Sequence, residues 1–194
     1  MKQTLLAAVI VGLAGSAAIA GSPEPYIEHV YMEPPVIEND WEGFYGGVIG
    51  GMHRGDITPG GFTFDATSYG GFAGYNFQQG QMVYGAEVAA QVGTLDLNPG
   101  PNFDIDMLVD AKVRVGYSLG DALLFASGGY STIGMTNPGT LAAKGWNAGV
   151  GLDYAVTDMF FVGGEYVYRN MPTTLPPGFD TTSHAGQLRA GIKF

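Results

Sequence analysis

Eight blocks of alternating character fill most of the chain, at 43–53, 69–78, 82–93, 107–119, 122–133, 145–156, 159–170 and 184–194, with Gly, Pro, Asn and Asp between them. A period of two puts successive side chains on opposite faces of a strand, and no stretch longer than a few residues after Trp41 carries a helical period instead. The charges within a block share parity. Asp110, Lys112 and Arg114 do so, as do Glu165 with Arg169 and Arg189 with Lys193. Opposite the first set stand Val109, Ala111, Val113, Val115 and Tyr117. Each strand thus has an apolar face and an ionic face, and a slip of one residue would exchange them. An even number of such strands predicts an all-β, eight-stranded antiparallel up-and-down barrel.

Which face looks inward decides what kind of barrel this is. A soluble barrel of the lipocalin type turns its apolar face in and its charges to water. Here the apolar face is bounded by aromatics. Phe44, Phe77, Tyr84, Tyr117, Tyr154, Phe160 and Phe194 mark one end, and Tyr69, Tyr130, Trp146 and Tyr168 the other. Val, Ala and Leu fill the band between, while the second face is mostly Gly, Ser, Asn and Gln with charges of both signs. A bilayer selects such a band between two aromatic girdles on the outside of a barrel. Charged residues are only 13% of the chain, which also argues against an ordinary water-facing surface.

Flanking segments fit that reading. Lys2, the apolar stretch Leu5 to Leu13 and the ending Ala18-Ile19-Ala20 predict a signal peptide over 1–20. Residues 21–42 hold Pro23, Pro25, Pro34 and Pro35 among acids, with no base, and predict an extended periplasmic segment. The barrel is expected over 43–194. Connections at 79–80, 120–121 and 157–158 read as tight turns, and those near 54–68, 94–106, 134–144 and 171–183 as loops of ten residues or more. Strands of about 11 residues tilted near 40° rise roughly 25 to 30 Å, enough for outer-membrane hydrocarbon.

The run Trp41-Glu-Gly-Phe-Tyr-Gly-Gly, the segment Gly70-Gly-Phe-Ala-Gly-Tyr-Asn-Phe followed by Val83-Tyr-Gly-Ala-Glu87, and the ending Leu188-Arg-Ala-Gly-Ile-Lys-Phe194 resemble the small outer-membrane β-barrel family of opacity-type and OmpA/OmpX-like porin-family surface proteins. The resemblance spans 41–194. It implies a Gram-negative outer membrane, with Phe194 as an assembly signal read by periplasmic chaperones and the barrel-assembly machinery. No peptidoglycan-binding domain follows the last strand, which puts anchoring by that route in doubt.

With the ionic face inward, Glu87, Asp110, Asp153 and Glu165 meet Lys112, Arg114, Arg169, Arg189 and Lys193 in the lumen, four acids against five bases. Charges taken from water must pair or stay hydrated, so a network filling the bore is expected. Gly on the same face makes room for it. A narrow or gated ion path is the alternative. Outside, Asp56, Asp65, Asp96, Asp104, Asp106 and Asp180 sit in or beside the expected long loops, where divalent cations bridging lipopolysaccharide phosphates compete with simple solvation.

Enzymatic readings find little support. Ser183 and His184 are neighbours, and adjacent strand residues point to opposite faces. Gly46-Gly-Val-Ile-Gly-Gly51 fits neither a dinucleotide nor a phosphate loop. No cysteine is present, and neither metal nor cofactor is called for. A formal charge of -10 disfavours nucleic acid. The reading is a monomeric, non-enzymatic outer-membrane barrel with a structural or surface-exposed role and outer-membrane lipid and lipopolysaccharide around it. A small channel and, less favoured, a lipid A-modifying enzyme are the alternatives.

Overall fold

A computed structural model describes residues 40–136, 141–175 and 178–194. The eight strands are β1 (Gly43–Thr58), β2 (Phe62–Gln79), β3 (Met82–Asn98), β4 (Asn102–Leu119), β5 (Ala122–Thr136), β6 (Leu141–Ala155), β7 (Phe160–Leu175) and β8 (Phe179–Lys193). Consecutive strands pair antiparallel and β1 pairs with β8 as well as β2, so the sheet closes and leaves no free edge. Two hairpins at the end carrying the termini turn on Gly80 and Gly120, whose φ of 61° and 76° only glycine adopts readily. The expected signal peptide and most of the acidic segment lie outside the described residues.

Alternation settles the orientation of the faces. Along β6, Asn147, Gly149 and Asp153 are buried while Trp146, Val150, Leu152 and Tyr154 are exposed. Along β7, Phe161, Glu165, Val167 and Arg169 are buried and Phe160, Val162 and Tyr166 exposed. Girdle residues are spaced alike: Tyr69 and Phe77, Trp146 and Tyr154, Phe160 and Tyr168 are each eight residues apart. That separation is about 26 Å along a strand and about 20 Å along the normal at a tilt near 40°, the height of an apolar belt in hydrocarbon.

The long loops do not exist. Each strand runs three to seven residues further than the alternation blocks indicate, and the connections shrink to 59–61, 99–101, 137–140 and 176–178. At the other end they are 80–81, 120–121 and 156–159, so long and short connections do not alternate. The physical reason is a change of sense along unchanged strands. Beyond the girdle Phe64, Ala66 and Leu95 turn inward while Asp65, Thr67 and Asp96 turn out, a water-facing pattern that a search for apolar-outward strands reads as loop. In β4 a register shift between Ile105 and Met107 moves the inward set from even to odd positions, which places Ile105 as well as Leu108 inside. What distinguishes the two ends is the length of strand past the girdle, short beside the termini and long at the far end.

The interior is therefore stacked. An aromatic and aliphatic cluster of Trp41, Tyr45, Phe72, Leu123 and Phe161 lies toward the termini. A second apolar cluster, with Phe64, Leu95, Ile105, Leu108, Ile133 and Met171, fills the far end. Polar and charged side chains occupy the bore between them.

Candidate functional site in the barrel bore

Inward positions of β3, β4, β6, β7 and β8 bring six charges together. Glu87 receives Lys112 Nζ at 3.2 Å, Arg114 Nη1 at 3.1 Å and Arg189 Nη2 at 2.5 Å. Lys112 also reaches Glu165 at 2.7 Å, and Arg114 Nη2 reaches Asp153 at 2.7 Å. Arg189 Nε stands 3.4 Å from Asp153 Oδ1, near enough for attraction but without hydrogen-bond alignment. Three acids and three bases make the cluster neutral. Glycines admit it: Gly163 lies opposite both Asp153 and Arg189 in register, and Gly85 opposite Arg114. A Cβ on Gly149 would stand 2.9 Å from Glu165 Oε1.

Aromatic rings support the guanidinium planes. Arg114 lies 3.8 Å from the centroid of Phe125 and Arg189 lies 4.0 Å from that of Phe72. The Tyr45 hydroxyl donates to Glu87 at 3.1 Å, and Ser127 donates to Glu165 at 2.8 Å. Burying an ion costs several kcal/mol, which Coulomb attraction offsets only where geometry is close and the remaining lone pairs are used. Every member here faces at least two opposite charges, while Arg114 Nε, Arg189 Nε and Asp153 Oδ1 make no hydrogen bond to a described residue.

A second pair sits apart. Arg169 grips Asp110 through Nε at 3.1 Å and Nη2 at 2.6 Å, and Ser131 donates to the same carboxylate at 2.6 Å. Nearby, Ser68 donates to Gln91 Oε1 at 2.8 Å. The same hydroxyl lies 2.7 Å from His53 Nε2. The contact links β1 to the β2–β3 pair on the inner face. Lys193 belongs to neither group. It stands at the mouth, donating to the Asp40 carbonyl at 2.9 Å with its ammonium 4.7 Å from the centre of the Trp41 ring.

Trp41 precedes β1 yet is only 2% exposed. Its Nε1 donates to the Gly120 carbonyl at 3.2 Å and its ring meets Phe161 edge-on, so it stops the mouth beside the termini. Sequence reasoning noted Trp41 only as part of a motif. Among the inward rings Phe161 had a usable signal, because it shares the parity of Glu165 and Arg169 in its own strand. Trp41 lies before the alternation begins and offered none.

Residues weighed for catalysis diverge. Ser183 is buried inside while His184 is exposed outside, its Nδ1 2.5 Å from the Tyr166 hydroxyl. The six outer aspartates stand on or beside strand extensions, and among the described residues no group of three or more acids and histidines converges to hold a metal ion. Phe194 lies outward with its N–H donating to the Phe44 carbonyl at 2.9 Å.

A closed sheet with an apolar, aromatic-bounded exterior and an ionic interior defines a transmembrane β-barrel. A family model described as the outer membrane protein beta-barrel domain matches residues 5–194, and the chain belongs to that family. It is 31% identical over 183 residues to a 25 kDa outer-membrane immunogenic protein of Brucella abortus, spanning 86% of this chain and 84% of that one. Identity to a 22 kDa outer membrane protein of Rhizobium leguminosarum is 29% over 170 residues, 79% and 78% of the two chains. Among solved structures, the attachment invasion locus protein Ail of Yersinia pestis superposes with a TM-score of 0.53 at 12% identity, over 78% of this chain and 99% of that one. Neisserial surface protein A gives 0.53 at 17%, over 78% and 97%. At such identities the structural likeness speaks for the fold alone. The protein resides in the outer membrane of a Gram-negative bacterium.

Proposed function

We propose that this barrel is a closed, non-enzymatic element of the outer membrane, with a structural or surface role exerted by its far end. The observation that carries the reading is the filled bore. A solute entering from the far end meets the apolar cluster around Leu95, Ile105 and Leu108, then the Arg169–Asp110 pair, then the neutral six-charge cluster, and last the Trp41 ring. Ions crossing it would shed water against an apolar constriction and displace paired charges, each step costing several kcal/mol. Ser183 and His184 on opposite faces, and Ser68 committed to Gln91 in a closed interior, support the absence of catalysis. Exposure of Phe194 at the last outward position supports its role as the segment read during assembly. Planar-bilayer recording tests closure: the folded protein inserts without a steady conductance. Sustained large unitary currents would establish a pore instead.

A further inference from the structure

We propose that residues 40–43 form a strap, hinged at Gly43, that carries Trp41 as a removable stopper, so that water on the side of the termini enters the bore only when the strap lifts. The inference rests on the reading of a closed bore. It assigns closure of the near mouth to a short segment that joins the barrel wall only at Gly43.

The strap leaves the strand direction at the first residue of β1. Gly43 has a φ of 118°, in the region that favours glycine, and a Cβ there would stand 2.8 Å from the Phe194 carbonyl oxygen. The contacts of the residues before it go round the rim. The Trp41 N–H donates to Gln78 Oε1 at 2.8 Å at the end of β2, and the Gln78 N–H donates in return to Glu42 Oε2 at 3.1 Å. Trp41 Nε1 reaches the Gly120 carbonyl in the β4–β5 turn, and Lys193 on β8 holds the Asp40 carbonyl while its ammonium faces the indole. Strands β2 and β8 flank β1, whereas the β4–β5 turn lies across the barrel from it. Each anchor is a single hydrogen bond or cation–ring contact, part-buried or exposed, where water competes for the same groups.

The layer next to the strap gives water a reason to enter. Asn76 Oδ1 and Ser118 Oγ are buried and make no hydrogen bond to a described residue. Asn76 is the register partner of Gly43, and Ser118 that of Leu123, which packs in the same cluster as Trp41. Polar groups kept dry carry a desolvation cost that a water molecule recovers. Burial of the indole against Phe161 therefore favours the closed position, and drying of these two oxygens opposes it. Continuous strand pairing elsewhere in the wall contains no such opposition. The strap continues in sequence from the acidic segment 21–39, so whatever takes hold of that segment acts on Trp41.

The chain has no cysteine, so Ser118→Cys supplies a single thiol beneath the strap. Its modification by a charged, membrane-impermeant methanethiosulfonate is followed by mass spectrometry in nanodiscs, after heat-modifiable migration has shown that each barrel is folded. With the strap intact the thiol reacts at least about a hundredfold more slowly than in the urea-unfolded chain. Adding Trp41→Ala accelerates the folded protein by about tenfold or more, and Lys193→Met, which keeps the indole and removes one anchor, by roughly threefold. Leu95→Ala, in the far cluster, leaves the rate unchanged. Slow modification in both strap variants overturns the proposal while the bore remains closed. Fast modification with the strap intact overturns the strap and the closed bore together. Acceleration by Leu95→Ala and not by Trp41→Ala would show entry from the far end, which also overturns the proposal.

Discussion

Glu87→Ala lowers the stability of the folded barrel by about 3–5 kcal/mol, the cost of leaving partners of a buried ion pair uncompensated. Glu87 alone faces three cations, Lys112, Arg114 and Arg189, within 3.2 Å. Without it three buried bases, Lys112, Arg114 and Arg189, face two acids, Asp153 and Glu165. Urea unfolding in phospholipid vesicles, followed by heat-modifiable migration, measures the loss. The double variant Glu87→Ala with Arg189→Ala restores neutrality, so its cost falls below the sum of the two single changes. An additive double variant, or a midpoint unmoved by Glu87→Ala, would mean that these charges are independently hydrated.

Val150→Arg costs about 2–4 kcal/mol, because it places a guanidinium at the middle of the hydrocarbon. Val150 is 58% exposed and lies four residues from both Trp146 and Tyr154, the girdle residues of β6. Tyr154→Arg, at the interface, costs only about 0–1 kcal/mol from charge placement, since the cation there reaches headgroups. The contrast with depth is the informative quantity. A penalty equal at both positions would indicate protein packing rather than lipid as the environment of this face.

Much of this architecture was legible because alternation is a strict geometric signal. Lys112 and Arg114 share parity with Asp110, and that parity allows only one face for all of them. The same signal misled at the far end. Phe64, Leu95 and Ile105 turn inward beside outward Asp65, Asp96 and Asp104, so the ionic-in, apolar-out rule reverses while the strands continue. The water-exposed extension obeys the rule of soluble proteins, and the membrane belt obeys its opposite. Which charge meets which was not legible either. Glu87 reaches Arg189 across the bore, a pairing fixed by barrel closure between β1 and β8 and not by spacing along the chain. Trp41, bonded to the Gly120 carbonyl of the β4–β5 turn, depends on closure in the same way, whereas the link from His53 through Ser68 to Gln91 joins neighbouring strands β1, β2 and β3.

The two tryptophans provide the most direct test of the inverted barrel, since one faces lipid and the other faces the interior. Trp146 is 51% exposed on the outer girdle, and Trp41 is enclosed at the mouth. In vesicles of lipid brominated on the acyl chain near the headgroup, Trp41→Phe leaves only Trp146, whose fluorescence is strongly quenched. Trp146→Phe leaves only Trp41, which bromine quenches weakly. Folded protein in which Trp146 ignores brominated chains, or Trp41 is the residue that responds, would contradict the orientation of every strand described above.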